Sequence, residues 1–216
     1  MKRISRSVAY LLLGGICLVG GGCLRRPATP QSRMIEPQLL EPLQSSPAAQ
    51  VTKTADAIPV RLLDTEARGH IGRRVLHQQP KGELTADPVW RWSTSPERYL
   101  DTALQLEVAS KSNVLLVDNG HASELAATLL EWDLESAGSK RLIGSVEFQV
   151  TGTDRVVHTQ VVRSSEPVSA NLPGDLAAAA GRLLRRLASE GLRLAIGQPP
   201  ALTTSQTPGA SNEPPK

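Results

Sequence analysis

The chain has 216 residues, with 24 Lys and Arg against 21 Asp and Glu, which gives a formal net charge of +3. Lys2, Arg3 and Arg6 account for this excess, so the sequence from residue 23 onward is neutral (3 − 3 = 0). A neutral chain with 3% aromatic residues lacks the basic stripe and the stacking side chains of nucleic-acid binders, so we expect no nucleic-acid partner. The length allows one domain with one core.

A basic start is followed by an apolar run, VAYLLLGGICLVGGG, at residues 8–22. A charged start, an apolar middle and small residues before a cut site are the parts of a secretory signal peptide. The alternative is an uncleaved membrane anchor. The run has 22 − 8 + 1 = 15 residues, whereas a spanning helix needs about 20, and its five glycines disfavour a permanent helix. The sequence therefore predicts a signal peptide at residues 1–22.

Cys23 follows this run directly, and the pattern resembles the lipobox of bacterial lipoproteins. Gly21 and Gly22 supply the small residues, and Gly22 is the predicted signal cleavage position. Leucine usually stands three places before the cysteine, where this chain has Gly20. The resemblance implies that Cys23 carries lipid and anchors the chain to a membrane. With Cys23 acylated, no disulfide can form, since Cys17 lies in the signal.

Two tails are predicted to flank the domain. Residues 23–55 contain five prolines among Gln, Ser and Thr, and proline at this density predicts an extended or disordered tether that lets the domain stand well off a membrane. Residues 197–216 have a similar composition and form the predicted disordered tail. The folded domain should therefore occupy residues 56–196.

Short strands are predicted at residues 57–63 and 73–79, with a turn at Lys81-Gly82. Residues 83–92 are taken as the approach to a helix. Ser95 is a plausible N-cap, Pro96 suits the first helical position, and apolar residues then recur at helical spacing, which predicts a helix from Pro96 to about Ser110. Residues 114–117 form an apolar run typical of a strand covered on both sides.

Alternating patterns predict a three-stranded antiparallel meander at residues 126–135, 142–151 and 155–163. The predicted apolar face combines the residues Leu130, Trp132, Leu134, Val146, Phe148, Val150, Val157 and Val161.

Residues 175–196 should form the helix that covers this face, because Leu176, Ala180, Leu183, Leu187 and Leu194 make an apolar stripe with arginines off it. The fold class predicted is α+β: a single domain with a mainly antiparallel sheet that packs against two helices.

No catalytic constellation is present in the sequence. His70, His77, His121 and His158 stand isolated, and each is interpreted as a surface or half-buried structural residue, so we expect no metal site and no cofactor. A row of carboxylates, Glu131, Asp133 and Glu135, offers a pair for acid–base chemistry, but a solvated strand face is the preferred reading. We therefore expect a chain that is not an enzyme.

The order of elements resembles the ABC-type transport auxiliary lipoprotein family, the lipoprotein component of Mce-type lipid transport systems. The order is a lipobox, a proline-rich tether, an early strand pair, a tryptophan before a proline-started helix, a meander and a final Ala/Leu/Arg helix. The residues that carry the resemblance are 92–100 (WSTSPERYL), 115–117, 129–134, 144–150 and 177–187.

This resemblance implies a periplasmic subunit that works beside an Mce-domain protein and an ABC permease to move phospholipid-like molecules between membranes. Leu24 stands where an aspartate would retain a lipoprotein at the inner membrane, so the outer membrane is favoured by analogy. Direct lipid contact and a homo-oligomer are both left open. The alternative functions are an envelope-assembly lipoprotein that helps insert outer-membrane components and an enzyme on cell-wall or lipid substrates.

Overall fold

The computed structural model describes residues 31–39, 53–135, 139–169 and 173–198. These residues form a mixed sheet with two helices on one face, which confirms the α+β class. The elements in chain order are β1 (Arg33–Ile35), β2 (Ile58–Ala67), β3 (Arg74–Gln78), β4 (Leu84–Trp92), α1 (Pro96–Ser110), β5 (Val114–Leu116), β6 (Ser123–Glu135), β7 (Arg141–Thr151), β8 (Val157–Pro167) and α2 (Gly174–Ala195).

Strand β6 organises the sheet. One of its edges pairs with β7 over its whole length, and β7 pairs in turn with β8, both in antiparallel register. The other edge of β6 is shared, since β2 pairs with its first half and β3 with its last residues, both in parallel register. Strand β5 continues the sheet beyond β2, and β4 and then β1 continue it beyond β3. The two predicted early strands, β2 and β3, thus both pair with the same edge of β6 and do not pair with each other.

The predicted meander is present, but a bulge changes which residues of β6 face the core. The register shifts between Leu129 and Glu131, so Leu129 and Trp132 both point to the core while Leu130 is only half-buried. A bulge adds one residue to a strand, and the alternation changes face across it. Leu130 was therefore assigned to the wrong face, whereas Trp132 and Leu134 are buried as predicted.

Strand β8 is also turned over relative to the prediction. Val157 and Val161 are exposed by 58% and 53%, and the residue that packs against the core is Val162, the partner of Val146. The apolar residues on both faces of β8 made the alternation ambiguous, and a shift of one residue exchanges the two faces.

Helix α2 covers the meander as predicted. Leu183 and Leu187 are fully buried and touch the space above Gly144, where an added Cβ would lie 3.0 Å from Leu187 Cδ1 and 3.2 Å from Leu183 Cδ2. At Gly191 an added Cβ would lie 2.5 Å from Phe148 Cε1. Glycines at both points allow the helix to approach the sheet more closely than any larger side chain would permit.

Helix α1 begins and ends where predicted, with Pro96 in its first turn. Ser95 occupies the N-cap position with extended backbone angles but makes no side-chain capping bond. At the C-terminal end of the helix, backbone carbonyls accept hydrogen bonds from Lys53, whose Nζ donates to those of Val108 (3.0 Å) and Lys111. A cation at this end of a helix also opposes the negative end of its dipole.

Two predictions about strands were wrong. Residues 84–92 form β4 and are more than an approach to the helix. Pro88 is tolerated because the register is irregular here: Ala86 pairs with Leu76 and Arg91 with Arg74, so Pro88 has no partner in the β3–β4 ladder. Asp87 accepts hydrogen bonds from the amides of Val89 and Trp90 (both 2.8 Å). Strand β5 lies at the sheet edge, and its Leu115 and Leu116 are exposed instead of covered on both sides.

Candidate functional site

The predicted lipidation and cleavage residues, Cys23 and Gly22, lie outside the described residues, as does the rest of the signal peptide. The described chain begins at Gln31, eight positions after Cys23 (31 − 23 = 8). Residues 32–39, which we call the N-terminal strap, lie inside the segment predicted as a tether up to residue 55. Residues 32–39 are bound to the domain, so the prediction of a tether is wrong for this segment.

Strand β1 supplies the first half of the strap. It pairs in parallel with β4, placing Ile35 opposite Trp92, and the amide of Ser93 donates to the carbonyl of Ile35 (2.9 Å). Ile35 is 2% exposed, and Pro37 is also buried. Burying one such side chain contributes about 1.5–3 kcal/mol, so a short apolar segment is enough to hold the strap.

A polar cluster fixes the middle of the strap. The Glu36 carboxylate accepts hydrogen bonds from the hydroxyls of Tyr99 (3.1 Å) and Ser93, and the Thr94 amide donates to the Tyr99 oxygen (3.0 Å). Burial raises the pKa of Tyr99; the contact with the Ser93 hydroxyl and the hydrogen bond from the Thr94 amide oppose this, and the nearby Glu36 charge adds to it. The phenol therefore stays protonated and can donate to Glu36.

The end of the strap lies on helix α2. The Gln38 amide donates to the carbonyl of Ala177 (3.1 Å), and Arg185 Nη1 donates to the carbonyls of Gln38 (3.1 Å) and Leu39 (3.0 Å). A Cβ added at Gly181 would lie 2.1 Å from the Gln38 carbonyl oxygen. The strap can take this path only because residue 181 has no side chain.

The start of the strap carries an exposed amphipathic surface. Met34 is 55% exposed, and the Arg33 guanidinium lies over the Trp90 ring, 5.6 Å from its centroid. The sheet register aligns Met34 with Arg91 and Arg91 with Arg74, so these three residues share the face of the sheet opposite to the helices.

Four arginines lie at this corner of the sheet. Arg33, next to Met34, lies with its partner Trp90 on the other face, so the arginines at this corner lie on both sides of the sheet edge and do not share one face. Arg73, the neighbour of Arg74, donates to the carbonyls of Trp92 (3.4 Å) and Ser93. None of the four has a carboxylate within 4.0 Å among the described residues, whereas five other described arginines each lie within that distance of a glutamate. The basic edge, as we name this cluster, comprises Arg33, Arg73, Arg74 and Arg91, and the paired arginines are Arg61, Arg163, Arg182, Arg186 and Arg193.

A second charged group has a structural role. Glu166 is buried, and its carboxylate lies 2.9 Å from Arg182 Nε and 2.7 Å from Arg186 Nη2; the second contact is an ion pair that is not aligned as a hydrogen bond. Arg186 also donates to Ser164 Oγ (3.2 Å). Because both arginines lie on α2 and both partners on β8, this cluster holds the last helix on the last strand.

The structure places the four histidines apart. His70, His121 and His158 are exposed, and half-buried His77 lies 2.9 Å from Asp87. Burial would raise the pKa of Asp87, but hydrogen bonds from the Trp90 and Val89 amides and from His77 outweigh it, so its pKa lies below the ordinary value. Among the described residues, no three His, Cys, Asp or Glu side chains are grouped so that they could hold a metal ion.

The carboxylates of β6 are less exposed than the prediction of a solvated strand face requires. Asp133 is 5% exposed, while Glu131 is half-buried and pairs with Arg163 (2.8 Å). Burial raises the pKa of Asp133, and the nearby Glu131 charge adds to this, while Arg163 and His70 oppose it. Leu76 and Ile143 stand directly opposite Asp133 on the two neighbouring strands, so apolar side chains share its face of the sheet. The alternation of one strand contains no information about these neighbours.

Sequence reasoning missed both the strap and the basic edge. The apolar pair Met34-Ile35 was the available signal for the strap, and it stands among prolines. Three arginines of the basic edge come from three strands, two of which, β1 and β4, were not predicted, and Arg73 comes from the loop before β3. The described helices include none that is both long and apolar enough to cross a membrane.

No family model matches the chain, and no curated protein matches it. Among solved structures it is similar to the Xanthomonas campestris protein XCC0632, described under the family model DUF330, with a TM-score of 0.58, 16% identity, and coverage of 78% of this chain and 94% of that one. An uncharacterized protein matches with a TM-score of 0.53 and 11% identity over 65% of this chain and 91% of that one. A weaker match is a minor lipoprotein from Acinetobacter baumannii, with a TM-score of 0.37 and 12% identity over 64% of this chain and 93% of that one.

At identities of 16% and 11%, the likeness to the first two structures shows a shared fold only. The chain has the α+β architecture of the first two structures, in which a mixed sheet carries its helices on one face.

Proposed function

We propose that this chain is a non-catalytic lipoprotein that is anchored at the periplasmic face of a membrane through acylated Cys23. The observation that carries the proposal is the position of the lipobox-like cysteine, nine residues before an ordered strap (32 − 23 = 9). An acylated residue so close to a bound segment would hold the whole domain at the membrane, since nine residues span at most about 32 Å.

Within that class, we propose the role of auxiliary component in an Mce-type ABC system that moves phospholipid-like molecules between membranes. The order of elements supports it: a helix started by Pro96 after Trp92, then the meander, and a closing helix rich in Ala, Leu and Arg. The partners in this proposal are an Mce-domain protein and an ABC permease. The outer membrane is the proposed location, because Leu24 follows the cysteine.

Replacing Cys23 tests the anchor. The Cys23→Ser chain should keep its fold but should not be acylated, so mass spectrometry of the purified chain should show no added acyl mass. Membrane fractionation should then find the wild-type chain with membranes and any processed variant in the soluble fraction. A processed Cys23→Ser chain that stayed on membranes would contradict the proposed anchor.

Affinity purification from solubilised envelopes tests the transport role. The lipidated chain should enrich an Mce-domain protein and a permease, and the same purification with an unrelated lipoprotein is the control. Enrichment of an outer-membrane assembly barrel instead would support a role in envelope assembly and contradict the transport role. Either result leaves the anchor itself unaffected, so the two parts of the proposal are tested separately.

A further inference from the structure

The basic edge and the start of the strap are on the same corner of the domain. The chain enters the described structure here, and from Cys23 to Ser32 there are nine peptide steps, which cover at most about 32 Å whatever their conformation. A domain of about 150 residues has a radius of gyration of about 15 Å, so this reach is shorter than its diameter. An anchor at Cys23 would therefore keep this corner close to the membrane.

The chemistry of this corner suits an anionic lipid surface. The guanidinium groups of the basic edge have no carboxylate partner among the described residues, and arginine binds phosphate oxygens in a bidentate manner. Arg25 and Arg26 add two positive charges in the segment between Cys23 and the strap. Basic residues beside a membrane anchor are attracted by anionic headgroups.

Met34 and Trp90 give the same corner an apolar component. Met34 is largely exposed, and the Trp90 ring, which is half-buried and packs partly against the core, lies under the Arg33 guanidinium at the start of the strap. Tryptophan beside arginine is suited to the boundary between headgroups and acyl chains, because its ring has a large apolar surface and a polar N–H. Exposed apolar atoms among unpaired cations favour a lipid surface over bulk water.

We infer that the basic edge, together with Met34 and Trp90, is a lipid-contacting surface that binds the anionic phospholipid headgroups of the membrane in which Cys23 is anchored. This inference rests on the proposed lipid anchor. It gives the domain a fixed orientation, with the strap corner on the bilayer and the far end of the meander, at Val157, pointing away. From β1 to β8 there are five strand spacings, about 24 Å across the sheet.

The orientation can be measured on the acylated full chain in vesicles of phosphatidylethanolamine and phosphatidylglycerol. Cys17 is lost with the signal and the Cys23 sulfur is consumed by lipid, so a cysteine introduced by Met34→Cys is the one free thiol. Val157→Cys is the matched control, because the two side chains are similarly exposed. A fluorophore at residue 34 should be quenched strongly by a headgroup-attached quencher, and one at residue 157 weakly.

Charge reversal separates lipid binding from simple proximity. In the Met34→Cys chain, the pair Arg33→Glu and Arg74→Glu should reduce the quenching, since each arginine beside an anionic surface shifts the equilibrium about fivefold. The pair Arg98→Glu and Arg155→Glu makes the same charge change at exposed positions outside the basic edge and should leave the quenching unchanged. Circular dichroism checks that each chain is folded.

Equal quenching at residues 34 and 157, or quenching that the basic-edge reversal leaves unchanged, would overturn the inference while an acyl mass on Cys23 still supported the anchor. A label at residue 34 that is unquenched on vesicles but shielded from thiol reagents in whole envelopes would assign the surface to a protein partner instead. If mass spectrometry finds Cys23 without lipid, both the anchor and the inference fail.

Discussion

The sheet edge that carries the strap, which we call the strap edge, and the meander are stabilised by different interactions. The β6–β7–β8 meander has two antiparallel ladders of 11 residue pairs each and is covered by the apolar face of α2. Strand β1 has three paired residues, one buried isoleucine and a few polar contacts to β4, α1 and α2. A change in the meander should therefore affect the whole domain, and a change at the strap should mainly affect the strap.

The largest effect is expected under the meander. Leu183→Asp places a carboxylate at a fully buried position against Gly144 and should reduce the free energy of unfolding by more than about 4 kcal/mol, which is most of the stability of a typical domain. Circular dichroism and thermal denaturation would measure this. Ser189→Asp, a half-buried position of the same helix, is the control and should change stability little. A native melting curve for Leu183→Asp would contradict the helix-on-sheet packing.

At the strap, Gly181→Ala should release residues 32–39 while the meander stays folded. The added methyl carbon would lie 2.1 Å from the Gln38 carbonyl oxygen. Losing the burial of Ile35 costs about 1.5–3 kcal/mol and alanine in a helix returns about 1 kcal/mol, so stability should fall by about 0.5–2 kcal/mol. Hydrogen exchange at the Gln38 amide and tryptic cleavage after Arg33 should both become faster.

Gly174→Ala is the control for this prediction, because nothing lies within 4 Å of an added Cβ there. A Gly181→Ala chain with the exchange rates of the wild type would mean that the strap does not follow the described path over α2.

The same contrast explains which parts could be predicted from sequence. Helix α1 and the meander follow from periodicity because each has an apolar face of regular spacing, as with Val146, Phe148 and Val150. The strap depends on Ile35 meeting Trp92 and on the missing side chain of Gly181, and such contacts between distant residues leave no local pattern. Strand β4 was missed for a related reason, since its Asp87 and Pro88 break the alternation that identifies strands.

An effect of similar size is expected in the polar cluster that fixes the strap. Tyr99→Phe removes the hydroxyl that contacts Glu36, Ser93 and the Thr94 amide, and should reduce the free energy of unfolding by about 1–2 kcal/mol. Chemical denaturation would measure it. In a double-mutant cycle with Glu36→Gln, the coupling should be non-zero, because the two side chains share a hydrogen bond. Additive effects would show that Glu36 does not contribute through Tyr99.

The smallest predicted changes in stability have opposite signs in the two regions. Asp133, in the meander, has a raised pKa, so the folded state holds its proton more tightly than the unfolded chain; stability should rise as the pH falls through the folded pKa and level off below the unfolded one. Asp133→Asn should therefore stabilise the domain at neutral pH, by on the order of 1 kcal/mol, and weaken that pH dependence.

Asp87, at the strap edge, has a lowered pKa, and its contribution is present above its unfolded pKa and lost as the pH falls through the folded one. Asp87→Asn should destabilise the domain at neutral pH by on the order of 1 kcal/mol, because the Val89 and Trp90 amides lose a charged acceptor. Denaturation curves of both variants from acidic to neutral pH would measure the difference. Asp87→Asn shows the destabilisation expected when a carboxylate that is satisfied by hydrogen bonds loses its charge. If Asp133→Asn also destabilised the domain, burial of the Asp133 charge would have no electrostatic cost.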